Sequence, residues 1–229
     1  MDDYEPKPVM YDTLVLSGGA FKGLILLGSL HALYIRNMHN QIVNFVGTSC
    51  GAMICYLLAI GYTPIEIFTY ICTRLILDNI HVNIVSMMNG QGATSYNIIQ
   101  EHLEKLTIEK IGYLPTLLDI KTKYNKTLTI SAYNYTRKKE EILSYVTHPD
   151  LPCLIAIRMS ANLPLIFDHF KYQGSYYVDG GLINNFPIDI GEQVGAKTLG
   201  IFIQPVVEKE TREIPKSMIE YIYQLVLIP

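Results

Sequence analysis

The 229-residue sequence lacks an excess of basic residues, and charged residues make up only 17% of it. A net charge of −3 and an isoelectric point near 6.1 leave no basic footprint of the kind that nucleic-acid-binding domains carry. Because 49% of the residues are apolar, the chain can bury a large core, which excludes an intrinsically disordered protein. We expect a single domain over residues 1–229.

Patterns typical of disulfide and metal sites are also missing. Cys50, Cys55, Cys72 and Cys153 form no CxxC pair, so we expect buried free thiols in a reducing compartment. The six histidines are scattered and show no HExxH or other paired metal-ligand spacing. We therefore expect neither a metal site nor a cofactor.

No apolar run is long enough to cross a bilayer, since the longest one, Ala52 to Ile60, covers about half of a span. The acidic residues 1–6 are followed by no apolar region of a secretory signal. We therefore expect a cytoplasmic protein whose membrane contact is peripheral. Residues 217–229 form a candidate amphipathic helix with an apolar end, so either the chain is cut short there or the helix packs into the core.

Strand and helix patterns alternate along the first 60 residues. A β-type run from Thr13 to Leu16 precedes an apolar-periodic stretch from Leu24 to about Met38. A second β-type run, Ile42 to Val46, precedes the apolar stretch from Ala52 to Ile60. This order predicts an α/β fold with a mainly parallel sheet and helices on both faces.

The remaining sequence is less regular. We predict helices over 64–77, 96–106 and 151–161, and strands over 128–133, 141–145, 176–178 and 198–203. Residues 79–94 are predicted to form a loop or lid, and the charge run 208–213 a surface loop.

A G-x-S-x-G motif, Gly47 to Gly51, lies between the second strand and its helix. The motif is typical of a strained turn that presents a nucleophilic serine, here Ser49, at a helix N-terminus. Its first and last residues must be small so that strand and helix can approach each other. The alternative is a chance match in an ordinary strand-to-helix turn.

The glycine-rich loop Gly18 to Gly23 also lies between a strand and a helix, and it offers several backbone amides to an anion. It could cradle a phosphate, but its spacing fits neither a P-loop nor G-x-G-x-x-G, where Ala20 replaces the second glycine. If the first two strands are parallel neighbours, the loop lies beside Ser49, which favours an oxyanion hole.

Asp179 follows a predicted strand and precedes two glycines, a pattern usually found in turns. A carboxylate fixed at the sheet edge could also serve as the base for a serine. A triad in the order Ser, acid, His would need a histidine after Asp179, but the last histidine is His169. We therefore expect Asp179 to act without a histidine.

Three segments together resemble the signatures of patatin-like phospholipases and occur in that family's order. They are Ser-Gly-Gly-Ala-Phe-Lys-Gly at 17–23, Gly-Thr-Ser-Cys-Gly at 47–51 and Asp-Gly-Gly at 179–181. The segments 158–167 and 177–187 also resemble the family's sequence before and around its Asp motif.

The resemblance implies a three-layer α/β/α fold and hydrolysis of acyl esters in phospholipids or neutral lipids through an acyl-enzyme. By position, it implies Ser49 as nucleophile and Asp179 as base. The implied oxyanion-hole amides are those of Gly18, Gly19 and Ala20. The residues that support the three motifs are Lys22, Gly23, Gly47, Gly51, Gly180 and Gly181.

Two positions depart from the family pattern. Ala20 stands where a third glycine is frequent, and Lys22 stands where arginine is common. The lysine keeps the positive charge, and the Ala20 amide remains a usable donor if its φ is negative.

Other functions remain open at this stage. The same serine and aspartate would also serve an acyltransferase or a thioesterase, since another acceptor can resolve an acyl-enzyme. A non-catalytic lipid-binding module and a nucleotide-binding domain are further alternatives. The presence of both Ser49 and Asp179 argues against the lipid-binding module.

Overall fold

The computed structural model describes residues 10–74 and 92–204. Within these ranges the strands are β1 (Thr13–Leu16), β2 (Asn44–Thr48), β3 (Thr127–Asn134), β4 (Lys139–Leu143), β5 (Phe170–Tyr172), β6 (Ser175–Val178) and β7 (Thr198–Ile201). The helices are α1 (Leu24–Ile35), α2 (Cys50–Ala59), α3 (Pro64–Thr73), α4 (Asn97–Ile111), α5 (Leu117–Tyr124), α6 (Cys153–Ser160) and α7 (Ile188–Val194). Two 3-10 turns span Ala20–Gly23 and Gly180–Leu182.

The strands of the described ranges form one mixed sheet. β1 lies between β7 and β2, and β2 pairs with β3, all in parallel. β4 and β6 pair antiparallel with β3, and β5 pairs antiparallel with β6. Because β1 and β2 are parallel neighbours, with Leu16 opposite Gly47, the loops after them leave the sheet at the same edge, as predicted.

Helices cover both faces of this sheet. Leu14 and Leu16 of β1 belong to the larger core cluster, which includes side chains of α1 and α2. Val15, between them, packs with Val46 of β2 and with Ile190 of α7 on the opposite face. The alternation follows from the two-residue period of a strand, and it confirms the predicted α/β/α layering.

Most predicted elements are present, with shifted bounds. β1 has the predicted bounds, whereas β2 continues through Gly47 and Thr48 because both residues pair with neighbouring strands. β4 begins two residues before the predicted strand, since pairing with β3 and a left-handed turn at Lys138 (φ 52°) set its register. Long-range pairing, not local composition, fixes these strand ends.

Three of the helices and strands in the described ranges were not predicted: α5, β5 and α7. α5 begins with a capping box between Thr116 and Asp119, a signal that the sequence does contain. β5 is only three residues long and exists through its hairpin with β6. The end of the helix predicted over 64–77, most of the loop or lid, the charge run and the C-terminal helix lie outside the described residues.

The cysteines are free thiols, but only two of them are buried as expected. Cys55 and Cys153 lie in the core, whereas Cys50 is partly buried and Cys72, on the outer side of α3, is exposed. Within residues 10–74 and 92–204, no helix combines the length and apolar composition needed to cross a bilayer.

Candidate active site

Ser49 lies at the junction of β2 and α2 in a strained backbone conformation. Its φ of 55° and ψ of −124° fall in neither the helical nor the strand region. A non-glycine residue keeps such a conformation only where its surroundings impose it. The turn places Ser49 at the N-terminus of α2, where the helix dipole favours a developing negative charge.

Close packing explains the two glycines of this turn. A Cβ atom at Gly47 would lie 2.7 Å from the backbone nitrogen of Ala52. A Cβ atom at Gly51 would lie 2.5 Å from the carbonyl oxygen of Ser17. Real Cβ atoms do not approach backbone atoms so closely, so β1, β2 and α2 can meet here only because both positions are glycine.

The hydroxyl of Ser49 donates a hydrogen bond of 2.6 Å to Oδ2 of Asp179. The second carboxylate oxygen, Oδ1, accepts a bond of 2.7 Å from the amide of Gly181. The amide of Asp179 itself donates to the carbonyl of Asn162 at 2.9 Å. The side chains of Ser49 and Asp179 are both buried. The bonds to its two oxygens hold the Asp179 carboxylate in one orientation beside the serine.

Asp179 reaches this edge of the sheet at the end of an antiparallel strand. β6 pairs with β3 only at the last two residues of β3, Tyr133 and Asn134. Gly180 then passes over the carbonyl of Ser131, so closely that a Cβ there would overlap it. Because Ser131 pairs with Thr48, the carboxylate arrives directly beside the serine turn.

Burial raises the pKa of Asp179 to about 6. The hydrogen bonds from Ser49 and Gly181 act in the opposite direction, because they stabilise the carboxylate, but burial outweighs them. The group is therefore a stronger base than an exposed aspartate and still ionises near neutral pH.

Cys50 does not compete with Ser49 as a nucleophile. Burial, followed by the negative charge of Asp179, raises the pKa of the Cys50 thiol to about 12. Only the thiolate of a cysteine is strongly nucleophilic, so Cys50 stays an unreactive neutral thiol at ordinary pH.

The glycine-rich loop lies beside Ser49. Its three amides expected to form the oxyanion hole differ in whether they already donate a hydrogen bond within the protein. The amide of Gly18 donates to the carbonyl of Asn185 at 2.9 Å, so it is not available to an oxyanion. The amides of Gly19 and Ala20 have no acceptor among the described residues. In this structure the Gly18 amide instead holds the loop against the segment after Asp179, whereas the other two expected donors are free.

Ala20 also departs from the condition stated for it, since its φ is 46° and not negative. The alanine therefore holds a left-handed conformation that glycine would adopt without strain, but its amide has no acceptor among the described residues and remains a usable donor. Lys22 is partly buried, and Gly23 lets this turn pack on Cys50, whose sulfur would lie 2.8 Å from a Cβ at that position.

Ser160 is a site residue that the sequence did not single out. Its hydroxyl accepts a bond of 2.8 Å from the amide of Ser49 and donates to the carbonyl of Ser131. The chain of bonds ties the serine turn to α6 and β3, and it removes the Ser49 amide from the potential oxyanion donors. No local motif marks this role, because the contact joins residues 111 positions apart.

An apolar cavity of about 160 Å³ opens beside Ser49. Four helices, α1 to α4, supply most of its wall, including Leu27, Leu57, Ile67 and Leu103. Tyr70 and His102 join α3 to α4 within this wall through a bond of 3.0 Å between the hydroxyl and Nδ1. The cavity suits a hydrocarbon chain rather than a polar group.

A buried arginine braces one side of the cavity. Arg158 forms an ion pair of 3.0 Å with Asp168 and lies over the ring of Tyr96, 4.0 Å from its centroid. The amide of Tyr96 donates to the same carboxylate. These contacts hold the start of α4 against the segment that carries Phe167, which lines the cavity.

Of the histidines that the structure describes, none hydrogen-bonds to Ser49 or Asp179. His148 bonds to the neighbouring Thr147, and His169 is exposed. Across the described ranges, no group of three His, Cys, Asp or Glu side chains is arranged to hold a metal ion.

Comparison with known sequences identifies a family whose model covers both Ser49 and Asp179. Residues 14–191 match the family model of patatin-like phospholipases. The chain is 42% identical over 191 residues to a protein of Invertebrate iridescent virus 6 named "Probable lipid hydrolase 463L". That match covers 80% of this chain and 64% of the relative, so the chain spans less than two thirds of the viral protein.

Two solved structures share the fold. VipD from Legionella pneumophila has a TM-score of 0.62 at 21% identity, covering 89% of this chain and 51% of VipD. ExoU from Pseudomonas aeruginosa, in its complex with SpcU, has a TM-score of 0.54 at 18% identity, covering 95% of this chain and 48% of ExoU. At these identities, the likeness concerns the fold alone.

The raised pKa of Asp179 predicts a pH-dependent stability. Folding favours its protonated form, so wild-type stability should fall as the pH rises from about 4 to about 6. The variant Asp179→Asn lacks the titrating group and therefore this loss. The difference in free energy of unfolding between the variant and wild type should increase, in favour of the variant, by about 3 kcal/mol between pH 4 and pH 6. Urea unfolding at several pH values measures the difference.

Ser49→Ala is the matched control for this measurement. It keeps Asp179 but removes a hydrogen bond that lowers the pKa, so the loss of stability should begin at the same pH of about 4 and continue to a higher pH than in wild type. Parallel pH curves for wild type and Asp179→Asn would contradict the raised pKa.

Proposed function

Because the chain belongs to the patatin-like phospholipase family, we propose that it hydrolyses acyl esters of phospholipids or related lipids through Ser49 and Asp179. The observation that carries the proposal is the bond of 2.6 Å from the Ser49 hydroxyl to a buried carboxylate of raised pKa, beside an apolar cavity. A nucleophile, a base and an acyl site are thus adjacent.

In the first half of the reaction, Asp179 accepts the Ser49 proton as Oγ attacks the ester carbonyl. The carbonyl oxygen becomes an oxyanion, for which the amides of Gly19 and Ala20 and the dipole of α2 provide stabilisation. The ester C–O bond then breaks, and the proton on Asp179 passes to the leaving alcohol. An acyl-enzyme on Ser49 remains.

In the second half, a water molecule attacks the acyl-enzyme and gives a proton to Asp179. The tetrahedral intermediate collapses, the bond to Oγ of Ser49 breaks, and the proton returns to the serine. The fatty acid leaves, and no metal or cofactor enters these steps.

The cavity is the proposed site of the acyl chain. At about 160 Å³, it is similar in size to protein cavities that hold one benzene molecule, so its described part accommodates roughly six carbon atoms. Met53 and Leu57 of α2 line it one and two turns after Ser49. An acyl chain in the cavity therefore brings its carboxyl end to the nucleophile.

Substitution of either residue of the pair tests the proposal. Ser49→Ala and Asp179→Asn should each lower kcat on a soluble short-chain ester by roughly a thousandfold or more, because the nucleophile or its base is lost. Circular dichroism should show that both variants remain folded. A variant that keeps more than about a tenth of wild-type kcat excludes the changed residue from its role.

The matched control for the aspartate is Asp189→Asn, which makes the same chemical change on an exposed side chain ten residues later. It should keep kcat within about twofold. His148→Ala and His169→Ala should stay within about tenfold of wild type. If either histidine variant is folded and as inactive as Asp179→Asn, a triad replaces the pair.

The pH dependence of hydrolysis supplies a second test. The carboxylate form of Asp179 is the base, so kcat/KM should rise with pH and reach half its maximum near pH 6. Below that pH, it should fall about tenfold per unit, because the protonated form cannot accept the serine proton. A profile that is flat from pH 4 to pH 8 would contradict the proposed base.

Removal of divalent ions tests the metal-free mechanism. Activity on a soluble ester should be unchanged in excess EDTA, because Asp179 and backbone amides supply the base and the oxyanion donors. Loss of this activity in EDTA, with recovery on adding a divalent ion, would be inconsistent with the mechanism.

A further inference from the structure

Exposed apolar side chains lie on three separate segments beside the catalytic pair and the cavity. The first segment carries Phe21 and Ile25, the second Leu165, and the third Leu182 and Ile183. Ile25 and Leu182 are each 63% exposed, which is unusual for side chains of this type. We call these five residues the apolar rim.

Cavity contacts and hydrogen bonds place all three segments next to the site. Phe21 lines the cavity, and Ile25 lies one helical turn after it. Leu163 and Phe167 line the cavity on either side of Leu165 along the chain. Leu182 and Ile183 lie three and four residues after Asp179, and the amide of Leu182 donates to the carbonyl of Asp179. The Gly18 amide ties the same segment to the glycine-rich loop through its bond to Asn185.

The charge of these segments favours contact with a surface that carries phosphate groups. Residues 17–25, 161–167 and 180–188 contain no aspartate or glutamate, and Lys22 is their only charged residue. The stretch from Thr13 to Ile65 also contains no acidic residue. Three aspartates flank these ranges: Asp168 is paired with Arg158, Asp179 is buried and Asp189 accepts a bond from Asn184. Lys22 is the charge within the ranges that attracts lipid phosphates.

We propose that the apolar rim docks the protein onto a phospholipid surface, with its side chains inserted between the lipids. This inference rests on the proposed function, because it names the surface from which the acyl-ester substrate arrives. Large apolar side chains beside an apolar cavity allow an acyl chain to pass from the lipid phase to Ser49 without crossing water. Lys22 contacts the phosphate layer during docking.

The test separates docking from chemistry. Leu182→Ser/Ile183→Ser removes two exposed apolar side chains without touching the cavity or the Ser49–Asp179 bond. Its affinity for phosphatidylcholine vesicles containing phosphatidylserine should fall at least about tenfold, because two side chains no longer bury apolar area in lipid. Its kcat/KM on a soluble short-chain ester should stay within about twofold of wild type.

The matched control is Leu118→Ser/Val146→Ser, which changes two exposed apolar residues away from the opening. β4 runs antiparallel to β3, so Val146 lies toward the end of the sheet opposite Ser49, and Leu118 bonds to the neighbouring Pro149. This variant should bind vesicles like wild type. Sedimentation with vesicles, in a Ser49→Ala background so that no lipid is consumed, measures binding.

Three results would overturn the docking surface. Equal vesicle affinity of the rim variant and wild type would exclude the rim, and equal losses in the rim and control variants would show no role specific to it. If the rim instead binds a second copy of the protein, wild type would form a dimer that the rim variant does not form, and the vesicle affinity would be the same for both. Failure of the proposed function is separate, because wild type would then not hydrolyse even the soluble ester.

Discussion

The hydrogen bond between Ser49 and Asp179 joins residues 130 positions apart in the sequence. The sheet and the helices packed on it must therefore bring the two side chains within bonding distance. One partner ends a parallel strand at the centre of the sheet, and the other ends an antiparallel strand that overlaps β3 by two residues. A longer overlap would carry the aspartate past the serine turn. The bond of Ser160 to both the Ser49 amide and Ser131 fixes the turn against the same strand. Packing of α6 on β3 is therefore part of the site geometry.

The site holds two unfavourable features that the rest of the structure must offset. Ser49 has a positive φ, and such strained residues cost on the order of 1–3 kcal/mol each. The buried carboxylate of Asp179 adds about 3 kcal/mol when it is ionised, since its pKa is raised from 3.8 to about 6. Against a typical net stability of about 5–15 kcal/mol, these costs are large, and the packing around the site must offset them.

The sequence predicted the parts of the site that depend on local geometry. Ser49 and Asp179 could be located because glycines at fixed spacing report where backbone segments must approach closely. The occupied amide of Gly18 and the role of Ser160 could not be predicted, since each depends on a partner more than 100 residues away. The same holds for the cavity, whose wall combines four helices that no short pattern relates. Local rules thus locate the proposed nucleophile and base, whereas long-range packing decides which backbone amides remain free to donate.

Apolar surroundings connect substrate binding to the chemistry of this site. An exposed aspartate has a pKa of 3.8 and is too weak a base to activate a serine efficiently. Burial to a pKa of about 6 makes the carboxylate roughly a hundredfold more basic, without the histidine that triads use. Asp179 is already buried before any acyl chain enters the cavity, so the protein itself supplies the surroundings that raise this pKa. In the proposed reaction, apolar surroundings therefore have two roles: the cavity binds the acyl chain, and burial raises the pKa of the base.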